Sequence, residues 1–193
     1  RKVIANITTD LANAIENANE VRNTKQDDGE AMFDALVALY AIKDKVRESE
    51  ALLNNLALVA DTLKDKLALA AMPVVLYDAA NLLDEIGQNL QKRLISDSDV
   101  PGLIDQLHTQ MANADKCIEL RNAITNLEAA KANQDTELTE GKITQQWIDE
   151  SSSLLTNVVN AIDGGTLQFD DIPEWINKIT ICISDKYKPA NKI

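Results

Sequence analysis

The stretch that decides the fold runs from Glu30 to Ala71 and reads EAMFDALVALYAIKDKVRESEALLNNLALVADTLKDKLALAA. Counted in heptads, its a-like and d-like positions are apolar with the single exception of Ser49, and the pattern continues just past its end. These positions are Met32, Leu39, Val46, Leu53, Ala60, Leu67 and Val74 at a, and Ala35, Ile42, Ser49, Leu56, Leu63, Ala70 and Tyr77 at d. Because this apolar seam continues through the charged residues 43–50, it predicts one helix about 60 Å long.

Further apolar residues lie beside the seam and widen the apolar stripe beyond what one partner helix covers. The rest of the chain repeats the same helical spacing, and the 6 Gly and 4 Pro among 193 residues are too few for a turn-rich β fold. The sequence therefore predicts an all-α fold, an elongated bundle of five or six helices with coiled-coil-like packing around one long helix.

At two places the sequence pattern allows more than one local structure. Pro73 lacks an amide hydrogen and crowds the preceding turn, so the long helix either kinks or reverses there. No Gly, Asn or Asp cluster flanks Pro73, which favours a kinked continuation. Near the C-terminus, Ile179, Ile181 and Ile183 also alternate as they would in a strand.

We expect a single helical-bundle domain over residues 1–193. An alternative comes from an internal echo, because residues 9–14 read TDLANA and residues 109–114 read TQMANA. This echo would fit two duplicated halves, 1–97 and 98–193, although helices of limited composition produce such matches by chance. The chain starts with Arg1, which we interpret as a fragment or a processed product.

The charge balance argues against polyanionic partners. The chain carries 19 Lys and Arg against 31 Asp and Glu, a net charge of -12, and its longest basic cluster is Lys92-Arg93. Nucleic acids and anionic lipid surfaces are bound through basic patches, so the sequence predicts no nucleic-acid partner. The longest uncharged stretches, residues 67–77 and 151–162, are too short for a stable membrane span of about 20 residues. The sequence indicates no compartment.

The residues that usually bind metals or cofactors are few and scattered. Cys117 and Cys182 lie in no zinc-binding spacing, and we interpret them as two buried thiols, with a disulfide between them as the alternative. His108 is the only imidazole. Residues 163–174 have the length of a calcium loop but lack its ligands, and Asp171 with Glu174 fits a helix cap better. The sequence predicts no metal and no cofactor.

The sequence also contains no recognisable catalytic motif. Ser151, Ser152 and Ser153 have no candidate base nearby, and the glycines form no phosphate-binding loop. We therefore interpret the chain as a non-enzymatic protein.

The favoured function is a non-catalytic module for protein–protein interaction or assembly, with another protein or a second copy as its partner. The candidate partner-facing residues flank the main seam; they are Phe33, Val37, Tyr40, Leu52 and Val59. An alternative is a membrane-active or lipid-binding protein that uses the apolar region Leu67–Leu83. A phosphorelay module based on His108 is a third hypothesis, although the residues after His108 do not support it.

Overall fold

The computed structural model describes residues 5–188 and forms seven α-helices and no strand within them. The helices are α1 (Ala5–Thr24), α2 (Gly29–Ala70), α3 (Tyr77–Lys92), α4 (Asp99–Lys131), α5 (Gln134–Thr139), α6 (Gln145–Asp163) and α7 (Ile172–Ser184). The all-α helical bundle is thus confirmed. The described residues contain one helix more than the five or six expected, and the three isoleucines that alternate near the C-terminus belong to helix α7.

The long helix α2 follows the predicted seam. It runs through residues 43–50 without a break, and the d-like positions are the more deeply buried row. The buried members are Ala35, Ser49, Leu56, Leu63 and Ala70. The helix begins at Gly29 and is capped by the preceding residue, because Asp28 Oδ1 accepts a hydrogen bond of 3.0 Å from the amide of Ala31.

The chain does not continue through Pro73 as a kinked helix, so that prediction is wrong. Helix α2 ends at Ala70, and Ala71 adopts a left-handed conformation with φ of 51°. Such a residue ends a helix because the next amide no longer points along the helix axis. The connection is held by a hydrogen bond of 3.0 Å from the amide of Leu76 to the carbonyl oxygen of Met72, and both side chains are buried.

The contacts divide the chain into two compact units. Unit 1 contains the described residues of Arg1–Thr62 together with Asn81–His108, and unit 2 contains Leu63–Ala80 together with the described residues of Thr109–Ile193. Helices α2, α3 and α4 each contribute residues to both units. The expected single domain and the alternative of two duplicated halves stay predictions.

The core of unit 1 is built mainly from residues after the middle of α2. Its buried apolar side chains there are Leu53, Leu56, Ile86, Ile95, Val100 and Leu107. Ser49, the one polar residue of the seam, is also buried, and its hydroxyl donates a hydrogen bond of 3.3 Å to Asp97 Oδ1. The exception in the apolar pattern therefore has a partner, as a buried hydroxyl requires.

The core of unit 2 is continuous along α4 and includes α6 and α7, which pack against each other. Its fully buried side chains include Leu63, Cys117, Leu120, Leu127, Val158, Ile172 and Ile179. Trp147 is buried, and its indole Nε1 donates a hydrogen bond of 2.8 Å to the carbonyl oxygen of Cys182. Asp171 occupies the N-cap position of α7 as expected, but its side chain makes no capping hydrogen bond, and Glu174 forms an ion pair of 2.6 Å with Lys178.

Candidate interaction surface

The first three turns of α2 carry exposed apolar side chains in unit 1. We name this surface the α2 patch and define it by Met32, Phe33, Leu36, Val37 and Tyr40. Each of these side chains is between 46% and 64% exposed. Single exposed apolar residues are ordinary on protein surfaces, whereas a contiguous apolar group of this kind often marks a binding surface.

Three residues of the α2 patch, Phe33, Val37 and Tyr40, lie on the side of the helix that faces away from the seam, whereas Met32 occupies a seam position. Counting about 100° per residue, Phe33, Val37 and Tyr40 lie about 140–160° around the helix from the buried Ala35. The start of α2 is therefore apolar on nearly all sides. A helix of that kind is normally buried all round, yet between Gly29 and Glu48 only Ala35 is buried.

The neighbouring sequence explains why this part of α2 stays uncovered. Helix α1 precedes it, and the apolar side of α1 is rich in alanine, which covers little surface. Among residues 7–24 of α1, whose burial the structure describes, only Ile7 and Val21 are buried. A groove of about 160 Å³ remains between the two helices, lined by Ala18 and Val21 on one side and by Met32 and Leu36 on the other.

The structure separates the five candidate partner-facing residues into two groups. Phe33, Val37 and Tyr40 lie together in the α2 patch, whereas Leu52 and Val59 are half-buried. The last two lie at least 12 residues, or about 18 Å, further along α2 than Tyr40, so they do not extend the patch. None of the five is fully buried.

Sequence reasoning missed Met32 and Leu36 as surface residues. Met32 occupies an a-like seam position and Leu36 lies beside the seam, so both were expected to be covered by partner helices. The small side chains of α1 were the signal that could have identified them, because a helix rich in alanine cannot cover both flanks of α2.

Charged residues lie next to the α2 patch. Lys43 Nζ is 5.2 Å from the centre of the Tyr40 ring, a distance at which the ammonium group is attracted by the aromatic face. Asp44 and Arg47 form an exposed ion pair of 3.8 Å one turn further along. At the other end, Glu30 is exposed in the first turn of the helix.

A second, smaller apolar surface lies in unit 2, at the end of α2 and in the connection to α3. Its exposed side chains are Leu69, Val74 and Tyr77, which we name the 69–77 patch. This patch belongs to the region Leu67–Leu83 that the sequence singled out as membrane-active. Among the helices of residues 5–188, none has an apolar stretch long enough to cross a membrane.

Unit 2 also contains an open groove of about 580 Å³ between α4 and α7. Ala123 and Ile179 are the buried residues among its lining, and Ile176 and Ile183 are half-buried. Glu119 and Asn122 line the same groove with polar groups. The groove is thus mixed in character, unlike the apolar α2 patch.

The most connected polar group of unit 2 involves the residues after α7. Lys186 is buried, its Nζ lies 2.6 Å from Glu137 Oε2, and it donates a hydrogen bond of 2.6 Å to the carbonyl oxygen of Ala130. Tyr187 donates a hydrogen bond of 3.0 Å to Glu137 Oε1. We name Glu137, Lys186 and Tyr187 the Lys186 cluster. Since all its charges are paired, it tethers the C-terminal residues to α4 and α5.

The Lys186 cluster shifts both of its charged groups toward their ionised forms. Burial alone would lower the pKa of Lys186, but hydrogen bonds to Glu137 and Tyr187 outweigh burial and raise it above its usual value. The hydrogen bond from Lys186 lowers the pKa of the Glu137 carboxyl, against burial and with help from Tyr187. Such a pair fits a structural tether.

The potential nucleophiles are poorly suited to chemistry. Cys117 and Cys182 are both free, which agrees with the interpretation as unpaired thiols, but only Cys117 is buried as expected and Cys182 is half-buried. Burial raises the pKa of Cys117 to about 11 and also raises that of Cys182, so both thiols are protonated at neutral pH. His108 is exposed on α4. Within residues 5–188, no three His, Cys, Asp or Glu side chains come together as a metal site would require.

Comparison of the chain with family models, with curated proteins and with solved structures gives no match.

Proposed function

We propose that the chain is a non-catalytic helical module for protein–protein interaction or assembly, and that the α2 patch is its binding surface. The observation that carries the proposal is the exposure of two aromatic and three aliphatic or thioether side chains on one side of α2. Aromatic and Met side chains are enriched where proteins bind one another, and the centre of an interface is depleted of charge.

The chemistry of the described residues supports a binding function over a catalytic one. The two thiols are protonated at neutral pH, and the charged groups of the Lys186 cluster are paired in a structural tether. The α2 patch itself contains no ionisable group except the Tyr40 hydroxyl. What this surface offers to a ligand is apolar area at the start of a rigid helix.

Site-specific photo-crosslinking tests this proposal. A photoreactive side chain at Val37 is compared with one at Asn55, which is exposed on the same side of α2 about five turns further along. In lysate, we expect discrete protein adducts from position 37 and few from position 55. The Phe33→Asp substitution should remove the adducts at position 37, because a carboxylate at the centre of an apolar interface would lose its hydration.

Equal labelling from positions 37 and 55, or adducts that persist with Phe33→Asp, would contradict the assignment of the α2 patch. Circular dichroism is the control, since Phe33 is exposed and its replacement should leave the helix content unchanged.

A second candidate function is binding to a lipid surface through the 69–77 patch. It is favoured by the exposure of Leu69, Val74 and Tyr77 next to the break in the helix at Pro73. The net charge of -12 opposes binding to anionic bilayers, so this candidate ranks below the α2 patch. Flotation with phosphatidylcholine vesicles at pH 7 and pH 5 tests it. Co-flotation that Val74→Asp abolishes would support lipid binding, and no co-flotation at either pH would end the hypothesis.

A further inference from the structure

Helix α1 contributes few buried side chains to unit 1. On its apolar side, Ile7 and Val21 are buried, whereas Leu11, Ala14 and Ala18 between them are only half-buried. Two of these three half-buried side chains are alanine methyl groups, which offer little apolar area. Because the free energy gained by burial scales with apolar area, α1 gains little from its contacts with the rest of unit 1.

The composition of α1 also favours the helix only weakly. Of its 20 residues, five are Asn and three are Thr, and both residue types rank low in helix propensity. Most of the stability of a protein helix comes from packing of its apolar side rather than from propensity. The helical structure of α1 therefore depends on its contacts, and a loss of these contacts should unfold the whole helix.

The connection between α1 and α2 permits such a change without disturbing α2. Residues 25–28 are polar and exposed, and the amide of Asp28 donates a hydrogen bond of 3.1 Å to the carbonyl oxygen of Lys25. The start of α2 has its own cap, because Asp28 Oδ1 accepts a hydrogen bond from the amide of Ala31. Helix α2 can therefore keep its first turn when α1 leaves.

Undocking of α1 would enlarge the α2 patch. The groove between the two helices is lined on the α2 side by Met32, Ala35, Leu36 and Leu39. Met32 and Leu36 already belong to the patch, whereas Ala35 is buried and Leu39 is half-buried. Without α1, these last two would join the patch in one continuous apolar surface. A partner that covers this wider surface buries more apolar area than a partner that binds the patch alone.

We propose that α1 is a displaceable helix, which undocks from α2 and unfolds as one unit while the rest of the chain stays folded, and which competes in its docked form with the partner of the α2 patch. The competition rests on the proposed function, because it concerns the same surface. The undocking rests only on the burial and the composition of α1.

Native-state hydrogen–deuterium exchange of the full chain, followed by mass spectrometry of overlapping peptides, tests the undocking. Amides of α1 should exchange at least about a hundredfold faster than those of residues 114–127 in α4, because opening of α1 leaves α4 folded. The protection should be uniform along α1, since the helix unfolds as one unit. Amides of α1 that exchange as slowly as those of α4, or a gradient of protection from one end of α1, would overturn the undocking.

Three substitutions in α1 make the test specific. Val21→Ala removes part of a buried side chain, so α1 should exchange about tenfold faster while α4 is unchanged. Ala18→Leu places a larger apolar side chain in the groove of about 160 Å³, so α1 should exchange about tenfold slower. Ala12→Leu is the matched control on the exposed side of α1 and should change the exchange less than about twofold. Faster exchange of α4 in Val21→Ala would show that α1 does not open independently, and would overturn the proposal.

The crosslinking at position 37 tests the competition. Because partner binding is reduced by the fraction of chains in which α1 is docked, Ala18→Leu should lower the adduct yield about tenfold and Val21→Ala should raise it. Ala12→Leu should leave the yield unchanged. Equal yields from Ala18→Leu and the parent would overturn the competition but retain the α2 patch as a binding surface. If no variant gives specific adducts, both the proposed function and the competition are removed, while the exchange data still decide the undocking.

Discussion

The start of α2 in unit 1 and the part of α4 in unit 2 carry similar apolar stripes but differ in burial. Along α4, Ala114, Cys117, Leu120, Ala123 and Leu127 are all buried at helical spacing. Over the first turns of α2, between Gly29 and Glu48, only Ala35 is buried. Both segments are helical and carry an apolar stripe, which at the start of α2 is widened to nearly all sides of the helix. The difference shows that periodicity specifies which face is apolar, while the volume of the neighbouring side chains decides whether that face is covered.

The largest expected effect compares one substitution in the two regions. Leu120→Ala removes a fully buried side chain from α4, and we expect it to lower the free energy of unfolding by about 2–5 kcal/mol. Leu36→Ala removes a half-exposed side chain from the α2 patch and should cost less than about 1 kcal/mol. Urea unfolding followed by circular dichroism measures both. Similar losses for the two variants would mean that the α2 patch is as well packed as α4.

A smaller effect is expected when alanine replaces one glycine in each unit. The glycine in unit 2 is closely packed, whereas the glycine in unit 1 has open space around it. Gly165, after α6 in unit 2, has φ of 64°, and a Cβ added there would lie 2.9 Å from Val74 Cγ1. Gly165→Ala should therefore lower the free energy of unfolding by about 1–3 kcal/mol, through backbone strain and crowding.

Gly29 is the matched control in unit 1, since a Cβ added there meets no atom within 4 Å. Gly29→Ala should leave the stability unchanged or raise it by a few tenths of a kcal/mol or more, because alanine favours the helix. Combining Gly165→Ala with Val74→Ala should recover the part of the loss that comes from crowding. A Gly165→Ala variant as stable as the parent would contradict the close packing of this connection.

The parts of the fold that sequence predicted were those set by local pattern. The seam from Glu30 to Ala71 identified α2 to within one residue at each end, because a long run of heptads admits one regular structure. Pro73 was misinterpreted because its ring permits both a kink and a stop. The helix stops because Ala71 adopts a left-handed backbone conformation, and the sequence has no glycine at this position to indicate it.

Local spacing also identified some residues of the candidate surface and missed others. Phe33, Val37 and Tyr40 were singled out because they widen the stripe, and they are exposed. Met32 was placed in the core because its heptad position is apolar, and the poor cover from α1 is a property of a different segment. Burial depends on contacts between segments, and the spacing of residues within one segment does not reveal those contacts.

The smallest expected effect compares two ion pairs and depends on pH. The Lys186 cluster holds the pKa of Glu137 below its usual value of 4.5. A carboxyl whose pKa is lower in the folded than in the unfolded chain stabilises the fold above its unfolded pKa, and this contribution is lost as pH falls through the folded value. Glu137→Gln should therefore lower the melting temperature at pH 7, and the difference from the parent should shrink below about pH 4.5.

The exposed Asp44–Arg47 pair is the control, because Asp44→Asn makes the same charge change and should leave the melting temperature nearly unchanged at pH 7. A difference between Glu137→Gln and the parent that stays constant down to pH 3 would show that the Glu137 charge does not tether the C-terminal residues, and would remove this contrast between the two units.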